Sequence, residues 1–343
     1  MRALVFEAYG GPLEVRDVPD PTPSPRGVVV RVGATGVCRS DWHGWQGHDP
    51  DVSLPHVPGH ELAGTVQEVG ADVRLWRAGD RVTVPFVCAC GDCRECLAGN
   101  GQVCARQTQP GFTHWGSFAE LVALEAADVN LVGLPDGLGL PTAAALGCRY
   151  ATSYRAVVQQ GRVREGEWVA LHGCGGVGLS AVQIAVSAGA RVVAVDVAPG
   201  ALALARRLGA EVTVDARSTD VVAAVREATG GGASVSIDAL GSPRTCVDSV
   251  WCLQPRGRHV QVGLLPPSQG RPLVPMERVI ALELELLGSH GMAAAAYPEL
   301  LRLVVSGRLR PDLLVTRELD LDDAGAALEA VGSQPGIAVV TSF

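Results

Sequence analysis

The spacing of apolar positions changes character near Leu140. Before it, short β-branched stretches such as Val28 to Val32 and Val82 to Val84 alternate with Pro/Gly turns like Pro19 to Gly27, which predicts an irregular, mostly β region to about Leu134. Pro141 suits the first turn of a helix, and Thr142 to Val158 is Ala-rich with apolar residues at helical spacing. From Trp168 onward apolar runs alternate with helical segments. Trp168 to Leu171, Arg191 to Val195, Glu211 to Val214, Ser234 to Ile237 and Arg258 to Val262 predict buried strands. Leu179 to Ser187, Ala201 to Leu208, Val221 to Ala228 and Arg244 to Leu253 predict the helices between them. Repeated strand–helix–strand units imply an α/β fold with a doubly wound parallel sheet. A last helix at Pro298 to Val305 and a strand at Ala338 to Val340 would return to the first region.

Composition supports a folded two-domain chain. With 343 residues, 47% hydrophobic and 19% charged, it exceeds the size at which one core stops growing and lacks the bias of a disordered segment. The formal net charge of -8 and the lack of an arginine-rich run oppose a nucleic-acid or anionic-membrane partner. All 28 basic residues are arginine, so Schiff-base chemistry and a phosphate-loop lysine are excluded. The N-terminal residues do not resemble a signal peptide, and no apolar stretch is long enough to span a membrane, so a cytoplasmic protein is expected. Ten cysteines in that compartment point to metal or redox chemistry rather than disulfides.

Cys90, Cys93, Cys96 and Cys104 are spaced C-x2-C-x2-C-x7-C, with Gly91, Gly99 and Gly101 allowing a tight loop. Four thiolates complete a tetrahedral zinc and leave no open position, as in structural sites. Arg94 and Arg106 are balanced by Asp92 and Glu95, unlike the basic surround of a nucleic-acid finger. Cys88, just outside the spacing, competes for the place of first ligand.

Three separate pieces carry candidates for a second, open metal site: Cys38 to His43, then Gly59-His60-Glu61, then Gly147-Cys148. One imidazole and two thiolates leave a fourth position for water or a substrate oxygen. Taken singly, His60 also reads as a turn histidine and Cys148 as a packed thiol.

Gly173-Cys174-Gly175-Gly176-Val177-Gly178 is G-x-G-x-x-G. It sits between an apolar run and a helix, and Asp196 lies eighteen residues after Gly178 at the end of the next strand. The glycines allow pyrophosphate to approach the helix N-terminus. Asp196 is expected to accept from the adenosine ribose. A 2'-phosphate about 4 Å away would meet a repulsion on the order of 4 kcal/mol per charge pair, so NAD(H) is favoured over NADP(H).

These pieces, in this order and over essentially the whole chain, resemble the zinc-dependent medium-chain alcohol dehydrogenase family. The resemblance implies a GroES-like β domain at 1–150 with the structural zinc lobe, a Rossmann domain at 151–289, and a return of 290–343 to the first, with the catalytic zinc in the cleft between the domains. It implies that Cys38, His60 and Cys148 bind catalytic zinc, that Glu61 can ligate it during ligand exchange, and that Asp41 orients His60. Ser40 and His43 match the family's proton relay through the cofactor ribose. Thr152, Val177, Val262, Gly263 and Leu264 match positions that hold the nicotinamide, and Arg39 one that meets the pyrophosphate. Where many relatives have Gly-Arg before the final strand, this chain has Gly336-Ile337.

The expected activity is hydride transfer between NAD(H) and an alcohol, or an aldehyde or ketone in reverse. Trp42, Trp45, Phe86 and Trp115 are candidate walls for an apolar or aromatic substrate, though aromatics also serve as core. Two zinc ions per chain and a homo-oligomer, tetramer or dimer, are expected. The alternative is a non-catalytic, zinc-stabilised NAD-binding redox sensor, opposed by the presence of Cys38, Ser40, His43, His60 and Cys148 together.

Overall fold

The computed structural model describes residues 1–266 and 270–343, which form two compact units. The first comprises Met1–Ala151, Gly291–Ser333 and Ile337–Phe343, and the second Thr152–His290 with Gln334–Gly336.

In the first unit β1 (Arg2–Val5) and β2 (Glu14–Asp17) form an antiparallel ribbon. β3 (Val28–Val37), β4 (Glu61–Val69), β5 (Arg81–Thr83), β6 (Leu121–Leu124) and β7 (Val132–Gly133) pair antiparallel. β3 is rich in valine and buried along nearly its whole length because it is central, pairing with β4, β6 and the C-terminal strand. Two short helices hang on this frame, α1 (Arg39–Trp45) directly after β3 and α2 (Arg94–Leu97) in the cysteine loop, and α3 (Ala127–Asn130) follows β6. The stretch expected as one helix from Thr142 is a helical run with two wider turns. α4 (Leu140–Ala144) leads into a π turn at Leu146–Tyr150, then α5 (Ala151–Tyr154), then a second π turn at Arg155–Gln160. Such turns occur often at functional sites.

The second unit is a six-stranded, wholly parallel sheet. β8 (Trp168–His172), β9 (Arg191–Asp196), β10 (Val212–Asp215), β11 (Ala233–Asp238), β12 (Leu253–Gln261) and β13 (Glu285–Gly288) lie in the order β10-β9-β8-β11-β12-β13. The order reverses beside β8, the switch point where doubly wound sheets bind nucleotides. α6 (Gly176–Ser187), α7 (Pro199–Arg207), α8 (Val221–Ala228) and α9 (Pro243–Trp251) connect the strands, and α10 (Met276–Ala281) precedes β13. Asp220 and Ser242 cap α8 and α9 by accepting from Ala223 and Thr245 N–H groups.

Chain return completes the first unit: α11 (Tyr297–Val305), β14 (Val315–Asp320), α12 (Ala324–Glu329) and β15 (Ile337–Ser342). β15 pairs antiparallel with β3, and Ile337 is fully buried there. Among the described residues no helix is long and apolar enough to cross a membrane.

Candidate metal centres and cofactor loop

The chain leaves β3 at Val37 and turns at once into α1, which makes Cys38 the N-cap residue. Asp41, one turn on, is fully buried and fastens two backbone N–H groups and one imidazole. Its Oδ2 accepts from Cys38 N at 3.0 Å, while Oδ1 accepts from Gly59 N at 3.0 Å and from His60 Nδ1 at 2.7 Å. Gly59 must be glycine, since its φ is +106° and a Cβ would lie 2.6 Å from the Phe118 ring. Cys148 arrives from the first π turn, whose carbonyls are held from outside: Phe86 N–H donates to Gly147 O at 3.0 Å and Tyr297 hydroxyl to Leu146 O at 3.1 Å.

The result is one cluster in which donor atoms of Cys38, His60, Glu61 and Cys148 all lie within 4.8 Å of one another. With Nδ1 committed to Asp41, His60 Nε2 is buried without a protein partner, the pattern of a metal-binding imidazole oriented by a carboxylate. The thiols of Cys38 and Cys148 lie together in this cluster, and their interaction holds Cys38 well below and Cys148 well above the ordinary thiol range. A divalent metal binds thiolates and would displace the thiol proton that remains. This donor set fits a zinc site of three protein ligands with an open position.

The cysteine lobe fits a closed one. Cys93 Sγ lies 3.4 Å from Cys96 Sγ and 3.7 Å from Cys104 Sγ, and Cys90 Sγ is 3.8 Å from Cys96 Sγ. Zinc–sulfur bonds of about 2.3 Å give tetrahedron edges of about 3.8 Å. Backbone N–H groups of Cys90 and Arg106 donate to Cys104 Sγ, and Arg106 reaches both Cys90 Sγ and Asp92. Cys88 is outside this cluster. It is buried, its thiol donates to Pro85 O, and burial pushes it up to about 12, so it is a packed thiol.

Ser40 lies half-buried in the first turn of α1. His43 lies one turn on, its Nδ1 2.9 Å from Nδ1 of His48. Arg39 stacks on Trp42 at 4.3 Å and donates to Val331 O at 3.2 Å. Of the expected wall residues, Phe86 has its ring 6.2 Å from that of His60. Trp45 belongs to the core instead, with its indole N–H given to Gly11 O. Trp42 and Trp115 pack half-buried against the same core. Phe112, not singled out in the sequence, lies closer to His60, at 5.2 Å.

In the second unit the glycine loop leaves β8 with Gly173 at φ +93°, and α6 starts at Gly176 after its N-cap Gly175. A Cβ on Gly178 would sit 1.8 Å from Gly173 O, so helix and turn can meet this closely only with glycine. Asp196, ending β9, accepts from Cys174 N at 2.6 Å and from Ala198 N at 2.8 Å, so its carboxylate also fixes the loop. Val177 O accepts from Ser153, and the Thr152 hydroxyl is buried without a protein partner. Val262 and Gly263 N–H groups donate to Asp238 O, and Leu264 is exposed. Asp238 also accepts from Leu240 and Gly241 N–H groups, organising the loop after β11 as Asp196 does after β9.

Family comparison agrees with this geometry. Residues 24–136 match the alcohol dehydrogenase GroES-like domain and residues 176–306 the zinc-binding dehydrogenase domain. An alcohol dehydrogenase of Rhizobium meliloti (strain 1021) is 40% identical over 272 residues, 78% of each chain. One from Geobacillus stearothermophilus is 35% identical over 313 residues, 90% of each. A solved NAD-dependent alcohol dehydrogenase superposes over 100% of both chains with a TM-score of 0.89 at 33% identity. By these matches, and with a four-cysteine cluster beside a second cluster of two cysteines, a histidine and a glutamate, the chain belongs to the zinc-dependent medium-chain alcohol dehydrogenase family, NAD(H)-using oxidoreductases of alcohols and their carbonyl counterparts.

Proposed function

We propose that Cys38, His60 and Cys148 hold a catalytic zinc, that Cys90, Cys93, Cys96 and Cys104 hold a structural one, and that Ser40 and His43 carry the substrate proton outward. The observation that carries this reading is the buried, partnerless His60 Nε2 beside two thiols, with Asp41 fixing the opposite nitrogen. Bound there, zinc would act as a Lewis acid that makes an alcohol acidic. Ser40 takes the hydroxyl proton and His43 receives it at the wet end. Phe86 and Phe112, flanking His60, favour an apolar or aromatic alcohol.

The loop Gly173–Gly178 receives the pyrophosphate and Asp196 the ribose. Thr152, Val177, Val262, Gly263 and Leu264 face the nicotinamide, and Arg39 is the cation for the pyrophosphate. Ten free cysteines suit a reducing compartment such as the cytoplasm. A homo-oligomer is supported by the outer strand β13, whose Leu286 is partly exposed and whose neighbours Leu273, Met276 and Ile280 are strongly exposed. No observation favours a non-catalytic sensor.

The test is a screen of alcohols and aldehydes followed by nicotinamide absorbance, with metal analysis of the same protein. Two zincs and turnover are expected; one zinc per chain with no turnover of any alcohol or aldehyde would reject the reading.

A further inference from the structure

The sequence places an arginine next to a metal-ligand cysteine in an otherwise apolar stretch, and the structure buries it: Arg149 is 6% exposed. Its partner is Glu61, the fully buried residue after His60. Arg149 N donates to Glu61 Oε1 at 3.1 Å, and Nε lies 2.8 Å from Oε1 and 3.0 Å from Oε2. Nη2 donates to Oε2 as well, so both carboxylate oxygens are held by one guanidinium fork. The space is made by β3. Gly36 is paired with Glu61 in the sheet, and a Cβ there would lie 2.4 Å from Glu61 Oε2 and 2.9 Å from Arg149 Nη2.

Glu61 is nevertheless within the 4.8 Å set of donor atoms, so it competes for the metal. Two thiolates balance the charge of one divalent zinc, which leaves two buried carboxylates beside it: Asp41 is held by His60 and two backbone N–H groups, and Arg149 is the buried cation against Glu61. A fourth protein ligand would close the site, turning an open catalytic geometry into a structural one. We infer that Arg149 is a positioning residue that holds Glu61 off the metal and so keeps the fourth coordination position open to exogenous ligands. Glu61 reaches the metal only by giving up the fork. The inference rests on the catalytic-zinc reading above.

The test uses holoenzyme with cobalt(II) in the catalytic site and zinc in the cysteine lobe, titrated with imidazole while the visible cobalt bands are followed. In Arg149→Met the bands should differ before any imidazole is added, and imidazole should bind roughly 10- to 100-fold more weakly, the scale of outer-shell effects on metal sites. Glu61→Gln/Arg149→Met should regain imidazole binding, which a merely structural role for Arg149 would not produce. Arg149→Lys, which keeps the charge and loses the fork, should be intermediate and serves also if Arg149→Met does not fold. Wild-type imidazole affinity in Arg149→Met, or in Arg149→Lys where that alone folds, overturns the inference. Failure of the wild-type protein to show cobalt bands at all would instead reject the catalytic-metal reading.

Discussion

His43 and His48 share a hydrogen bond between their Nδ1 atoms, 2.9 Å apart, so one ring donates and the other accepts. Half-buried His43 therefore has Nδ1 engaged with His48, which is exposed. Burial, then the Arg39 guanidinium and His48, lower the His43 pKa below its ordinary value, with Cys38 opposing. A lowered histidine pKa means a neutral imidazole, ready to accept, at pH 7 and somewhat below.

In the proposed relay, alcohol oxidation by the wild-type enzyme should hold at pH 7 and fall only as pH drops through that lowered pKa. His43→Gln removes the wet-end acceptor and should slow oxidation modestly and most below pH 7, with partial rescue by added imidazole buffer. Ser40→Ala removes the inner link and should cost roughly 100- to 10,000-fold. The pH profile of all three proteins is the measurement. Near-full activity of Ser40→Ala across it would remove the relay.

Asp41 supports a prediction about metal content. Because it anchors Cys38 N, Gly59 N and His60 at once, Asp41→Ala should weaken the catalytic metal by roughly 10- to 100-fold while leaving the cysteine lobe loaded. Cys148→Ala should retain one zinc per chain and no turnover. Elemental analysis after mild chelation checks both; loss of both metals together in either variant would contradict two independent sites.

Strands of the parallel sheet were legible because they are continuous apolar runs between turn residues, as in Arg191–Asp196. β13 was not. Glu285–Gly288 has no β-branched residue and is mostly exposed, so only its pairing with β12 makes it a strand. Motif spacing picked out the cysteines and the histidine that the fold gathers into two clusters and the glycines of the loop after β8, because Cys, His and Gly are there for their own chemistry. It did not locate those that support them. Arg149 is the exception that could have been found: a charge next to Cys148 in an apolar stretch requires a buried acid. Tyr297 and Phe112 carry no such signal, since aromatics at helical or loop positions look like core until the chain return or the loop brings them to the site.

Cofactor choice should follow Asp196, with a complication. Its oxygens accept from two backbone N–H groups, so beside the proposed ribose contact the side chain orders the loop. Asp196→Ala should therefore raise the KM for NAD and also narrow the preference over NADP by roughly tenfold or more, tenfold being about 1.4 kcal/mol. Asp196→Asn, which keeps an acceptor and removes the charge, should narrow the preference with a smaller KM penalty. Steady-state kinetics with both cofactors decides it. An unchanged ratio in both variants would show that the carboxylate does not select.

The π turn at Leu146–Tyr150 offers a last test, of how far the metal site depends on the chain return. Tyr297 is fully buried on α11, and its hydroxyl lies 3.1 Å from Leu146 O and 3.4 Å from Gly147 O, directly before Cys148. Burial raises its pKa well above the ordinary tyrosine value, so it is a hydroxyl donor at every working pH. Tyr297→Phe keeps the ring and deletes only that donor, leaving buried carbonyls short of one partner at a cost of about 1–3 kcal/mol. Two outcomes separate stability from positioning. If the hydroxyl merely satisfies a carbonyl, thermal stability falls and the catalytic metal is retained as in wild type. If it also holds the turn that presents Cys148, the catalytic metal is released faster to a chromogenic chelator while the cysteine lobe keeps its own. Faster release of the catalytic metal alone is the expected result, and unchanged release and unchanged stability together would remove Tyr297 from any supporting role.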